Sequence, residues 1–144
     1  MKRKTFSRLL LIAAIGAHFA FASNAFAGPA VTVTVAGIKA KQGFIMIALH
    51  DEKAWSGAAL ARAKVAVQGE TVTIALAAPA PGRYGIKLYH DVDGDGKMAT
   101  NLVGFPTEPF GFSNDAPLRF GPPAFADAAF DVGPNGTAQT VTLK

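Results

Sequence analysis

The sequence predicts an all-β fold: a single antiparallel β-sandwich of about seven strands, with one long Phe/Pro-rich loop. Three observations lead there. Short stretches alternate apolar and polar residues with a period of two, as half-buried strands do. Glycine, proline and Asn-Gly signals punctuate them at short intervals. No segment carries the apolar spacing of a long amphipathic helix.

The elements follow in chain order. Residues 1–27 read as a secretory signal peptide. Lys2, Arg3, Lys4 and Arg8 form a basic start, LLLIAAIGAHFAFA (9–22) an uncharged apolar run, and Ala25-Phe26-Ala27 a small-x-small cleavage pattern. Cleavage after Ala27 predicts an exported protein, periplasmic or secreted, with one domain over 28–144. Val31, Val33 and Val35 alternate with smaller or polar neighbours as a first strand. GFIMIAL (43–49) is a second and more apolar strand, expected at the centre of a sheet. Residues 51–63 hold Trp55, the only tryptophan, and fit a loop or one short helix. Residues 64–68 and 71–76 read as a hairpin turning at Gly69-Glu70. AAPAPG (77–82) breaks the pattern, and RYGIKLY (83–89) is the next strand. Asn101 to Ala124 is irregular and contains five of the nine prolines and four phenylalanines. A loop this long is uncommon in a compact domain and is usually functional when it is ordered. Residues 125–132 and 137–143 close the chain as a hairpin about Pro134-Asn135-Gly136. FIMIALHD (44–51) and YGIKLYHD (84–91) echo each other, as strands of one sandwich do.

Charge and cysteine narrow the function classes. Four of the 14 basic residues and none of the 10 acidic ones lie in the signal segment, so the mature chain is balanced at ten of each. A nucleic-acid partner or a polybasic membrane surface requires a basic patch, and none remains. The mature chain has no stretch long and apolar enough to span a membrane. With no cysteine, thiol catalysis, thiolate metal sites and a lipoprotein anchor are excluded.

The densest chemistry lies in HDVDGDGKMATN (90–101). Asp91, Asp93 and Asp95 occupy alternate positions and Gly96 follows. Calcium takes six to eight oxygen ligands, and carboxylates at positions 1, 3 and 5 of a short loop can all turn inward. A glycine at position 6 permits the sharp turn, and position 7 offers its backbone carbonyl. Here Lys97 would give that carbonyl, Asn101 an amide oxygen, and Met98 would tie the loop to the core. Ala99 and Leu102 stand where an EF-hand keeps further ligands, so this is no EF-hand. Glu108 is near enough in sequence to fold back and close the loop. The alternative is a solvated acidic turn, since Asp-Gly pairs form turns without a metal. Three like charges within five residues then need another neutraliser.

Four weaker signals remain. His50-Asp51 and His90-Asp91 each end a strand and could build a metal-dependent hydrolytic site, or be hydrogen-bonded edge residues. Ser113 has no nucleophile context and suits a turn cap with Asn114 and Asp115. Trp55 reads as a core plug. Phe105, Phe110, Phe112, Phe120 and Phe125 would pin the long loop over one end of the sandwich, or form an exposed ligand face.

GRYGIKLYHDVDGDGKMATN, GFPTEPFGFSND and FGPPAFADAAFDV, in this order from Gly82 to Val132, resemble the DUF2141 family of bacterial proteins of unknown function. The resemblance implies an exported single-domain β protein, and brings no reaction or substrate. The family pattern carries an acidic residue where this chain has Ala99. Pro81-Gly82-Arg83-Tyr84 is also similar to the strand entry of transthyretin-like and carboxypeptidase regulatory-like sandwich modules, a likeness of fold alone. The sequence thus points to an exported, non-enzymatic β-sandwich that binds calcium as a structural or binding module of the cell envelope, with an unidentified partner there. A hydrolase using His50 and His90, and a carbohydrate- or peptide-binding module using Trp55 and the loop aromatics, are the alternatives.

Overall fold

A computed structural model describes residues 28–144; the signal-peptide expectation lies outside them. Eight strands form two sheets. In chain order they are β1 (Ala30–Ala36), β2 (Phe44–His50), β3 (Ala61–Ala66), β4 (Val72–Ala77), β5 (Gly82–Asp91), β6 (Phe110–Phe112), β7 (Phe130–Val132) and β8 (Thr137–Thr142). A 3₁₀ turn (Ser113–Asp115) and a four-residue helix α1 (Phe125–Ala128) interrupt the last third. One sheet runs β4-β1-β8. The other runs β3-β2-β5-β6, with β7 beside the start of β5. Among the described residues, no helix is long and apolar enough to cross a membrane.

Alternation decides which side chains meet between the sheets. Val31, Val33 and Val35 face Ile45, Ile47, Leu49, Ile86 and Leu88 in one buried cluster that also takes Val141. Strand pairing is antiparallel except between β1 and β8, which run parallel. The predicted sandwich is therefore observed, with this one parallel ladder.

Both predicted hairpins are corrected. β3 pairs with β2 and β4 with β1, so Gly69-Glu70 is a crossover between sheets. The Asn135-Gly136 turn does form, with the Gly136 amide donating to the Gly133 carbonyl at 3.0 Å. Its two arms nevertheless part, β7 to β5 and β8 to β1. Turn residues specify a chain reversal, whereas each arm joins the sheet that buries its apolar face. Residues 125–128 are helical and the strand begins only at Phe130.

β2 and β5 are direct neighbours, which explains the echo between 44–51 and 84–91. Their antiparallel register pairs Ile45 with His90 and His50 with Gly85. The two histidines thus lie five residues apart along the ladder, roughly 17 Å at the rise of a strand. A hydrolytic site needs both within a few ångströms, and the register removes that alternative.

Candidate functional site

Two features share the outer face of the larger sheet: the acidic loop, and a cavity beneath the long loop.

The acidic loop starts where β5 ends. Asp91 is fully buried. Its Oδ1 accepts the Gly94 amide at 2.9 Å and its Oδ2 the Gly96 amide at 3.0 Å. Gly94 and Gly96 have φ of 78° and 79°, left-handed values that suit glycine. Asp93 accepts the Asp95 amide at 3.1 Å, and Asp95 accepts the Lys97 amide at 2.7 Å. These bonds turn the three carboxylates inward, and one oxygen from each lies within 4.8 Å of the others. A carboxylate oxygen has two lone pairs, so one amide bond leaves it able to bind a cation.

Glu108 closes the loop. Its two oxygens accept the Val92 amide at 2.9 Å and the Ala99 amide at 3.1 Å, the first between Asp91 and Asp93 and the second beyond Asp95. Tyr89 donates to the Gly96 carbonyl at 3.1 Å. Burial pushes its phenol above the ordinary range, and the negative charges of Asp91, Glu108 and Asp95 push it further the same way. Asn101 is engaged elsewhere: its side-chain oxygen accepts the Val103 and Phe105 amides at 3.1 and 2.9 Å. Both lone pairs are then occupied, so the expected amide ligand is not free for an ion. Lys97 is exposed at the loop tip. Met98 does not tie the loop to the sandwich core as expected, and lines the cavity.

The cavity has a volume of about 750 Å³. Outward side chains of β2, β5 and β6 floor it: Met46, Ala48, Lys87, Tyr89, Phe110 and Phe112. Met98, Phe105, Pro106, Leu118 and Phe120, from the segments that follow β5 and β6, complete the lining. The long loop therefore covers a sheet face, where an end of the sandwich was expected. Phe110 and Phe112 sit in β6 and Phe125 opens α1, but Phe105 is half exposed and Phe120 fully so. Trp55 is 7% exposed and belongs to a second buried cluster with Phe112, Ala116 and Ala128. It is a core residue, as the sequence suggested, and also supports the cavity floor through Lys87. The Lys87 ammonium sits 4.3 Å from the centre of the Trp55 ring and donates to the Trp55 carbonyl. Burial holds that ammonium below the ordinary lysine range.

Sequence reasoning missed the cavity, though a signal was present. β2 is apolar on both faces, with Phe44, Met46 and Ala48 outward, and such a strand is covered on both sides. Ser113 proves to be a structural tie. It accepts the Ile86 amide at 2.9 Å and donates to the Ala128 carbonyl. Asp115 accepts from the Thr142 amide at 2.8 Å and so links this turn to the other sheet.

A family profile described as "Uncharacterized protein conserved in bacteria (DUF2141)" matches residues 33–140. The chain belongs to the DUF2141 family. The match takes in both sheets, the acidic loop and the long loop, so the DUF2141 region and the sandwich coincide. Comparison with curated proteins and with solved structures found no match.

In this DUF2141 chain His50 and His90 have separate structural roles. His90 is fully buried, and its Nε2–H donates to the Gln42 carbonyl at 2.6 Å; its Nδ1 has no partner. The His50 Nδ1–H donates to the Ala54 carbonyl at 2.9 Å and the ring meets Trp55 edge-on. Burial pushes the His50 imidazole below its ordinary value. The Ala54 bond opposes this, and the Lys87 and Arg62 cations reinforce it. His50 thus takes its proton at a lower pH when folded than in the unfolded chain, where it does so near pH 6.5. Stability from this residue is present above that pH and is lost as pH falls from about 6.5 toward the depressed folded value. Urea midpoints measured from pH 8 to 5 should fall more steeply in the native chain than in His50→Gln. Parallel profiles would refute this assignment.

Proposed function

We propose that this protein is an exported, non-enzymatic binding module of the cell envelope, whose 91–97 loop holds a calcium ion. The observation that carries this reading is the convergence of the Asp91, Asp93 and Asp95 carboxylates, in a loop where the amides of Val92, Gly94, Asp95, Gly96 and Lys97 are already bonded. Three clustered carboxylates repel one another unless a cation sits among them. Lys97 forms no ion pair with them. The aspartates and the Lys97 carbonyl would supply part of the six to eight oxygens that calcium takes, and water the remainder. The ion would clamp the segment that leads into the cavity wall, through Met98 and the bonds of Glu108.

Thermal unfolding in EDTA, calcium or magnesium tests this. Calcium at 100 times its dissociation constant should stabilise by about 2.7 kcal/mol. That raises the midpoint by roughly 10 °C in a domain of this size. Magnesium, which demands a tighter octahedral site, should do less. Asp93 is exposed and bonds only within the loop, so Asp93→Ala should abolish the calcium shift and leave the EDTA midpoint nearly unchanged. Equal midpoints in EDTA and calcium would sink the calcium reading.

A further inference from the structure

We infer that the cavity over the larger sheet is a binding site for a single-chain amphiphile with an anionic head. This rests on the binding-module reading above but not on the calcium ion.

The lining is apolar in body and cationic in charge. Arg62, Lys87 and Arg119 line it, and no aspartate or glutamate does. Among the described residues, none of these three cations has a carboxylate within salt-bridge distance. Lys87 is the most telling. Its ammonium is half-buried at the cavity floor, held by a carbonyl and an aromatic ring, and lacks a counter-ion. Placing a cation in such a setting costs free energy unless an anion meets it. An anionic head beside Lys87, with Arg62 two strands away across Ala48, supplies that charge.

Size and texture favour a flexible chain over a rigid ring. The volume of about 750 Å³ has room for roughly twenty-five water-sized groups. It runs from Met46 to His50 along β2, roughly 14 Å at the rise of a strand. Met46 and Met98, whose thioether side chains adapt to an occupant, lie on its floor and wall. Two of the apolar lining residues also face solvent: Val103 is 87% exposed and Phe120 fully exposed. Large apolar side chains grouped in solvent mark a contact surface more often than chance.

Calorimetric titration of the purified protein tests this with dodecanoate, dodecanol and dodecyltrimethylammonium, each below its micelle concentration. Dodecanoate should bind at one site, about tenfold or more tighter than dodecanol, as a charge-assisted contact implies. The ammonium amphiphile should bind weakest. A parallel titration with dodecyl phosphate tells a carboxylate head from a phosphate head, the tighter of the two naming it. Ala48→Phe fills the floor and should abolish binding of every chain. Lys87→Met should bring dodecanoate down to the affinity of dodecanol. Should that variant fold poorly, Arg62→Gln with Arg119→Gln, both on exposed side chains, should narrow the same gap. Equal affinity for the carboxylate and the alcohol, no binding of any amphiphile, or undiminished binding by Ala48→Phe overturns the inference. Each titration is run in EDTA and in calcium. Dodecanoate binding without any calcium effect on unfolding would remove the ion and leave the cavity. A calcium effect without dodecanoate binding would do the reverse.

Discussion

Replacing Trp55 with alanine is expected to destabilise the fold by about 3–5 kcal/mol, the usual cost of deleting a large buried aromatic. For a domain of this length that lowers the unfolding midpoint by about 10–20 °C. The reason lies in what the indole joins. It sits flat enough on β5 that a Cβ on Gly85 would meet the Trp55 Cζ3 at 2.7 Å. Its Nε1–H donates to the Pro123 carbonyl at 2.8 Å and so anchors the far end of the long loop. Its ring lies 5.7 Å from Phe125 and 6.4 Å from Phe112. The carbonyl and the ring together position Lys87. Trp55→Ala should therefore loosen the cavity wall as well as the core. Differential scanning calorimetry gives the midpoint. Amide exchange across 113–124 should quicken by more than across β1 and β8, which belong to the other cluster. Trp55→Phe should recover part of the packing and none of the bond to Pro123. A midpoint within 3 °C of the native value for Trp55→Ala would mean that the long loop is held by something else.

Asp91→Ala is expected to cost about 2–4 kcal/mol in EDTA, since it leaves the Gly94 and Gly96 amides without their acceptor. The side chain is fully buried, so water cannot readily take its place. The contrast with Asp93 and Asp95 is the useful feature. Those carboxylates are exposed and each holds one amide of the loop tip, so their alanine variants should move EDTA stability by less than 1 kcal/mol. In calcium, all three variants should lose the metal-dependent gain. Asp91→Asn keeps one acceptor oxygen but turns an NH₂ group toward an amide donor, so it should fall between the two. Urea unfolding in EDTA measures the order. If Asp91→Ala and Asp93→Ala were equally mild there, Asp91 would be a metal ligand without a structural role.

Several elements were legible because local chemistry decides them. The alternation of Val31, Val33 and Val35 needs only a half-buried strand to explain it. The acidic loop was legible for the same reason. Its aspartates accept from amides two to five positions away, so its inward turn is built from neighbours in the chain. Glu108 was only an option in the sequence, because its reach to Val92 depends on β6 lying beside β5. Asn101 looked equally available, and a nearer pair of amides took it.

The amino-acid order alone was enough for an all-β sandwich, for its turn positions and for the carboxylate loop, since each depends on periodicity or on contacts a few residues long. With no cysteine in the chain, it was also enough to remove thiol chemistry. Tertiary packing alone decided which sheet each strand joins, why His50 and His90 lie at opposite ends of one ladder, and where the long loop rests. Those outcomes turn on burying both faces of β2 at once, a condition met by residues up to about seventy positions apart, as the bond from Trp55 to Pro123 shows. The cavity and its unpaired Lys87 are products of that same packing, because its floor comes from three strands and its walls from a loop that none of them predicts.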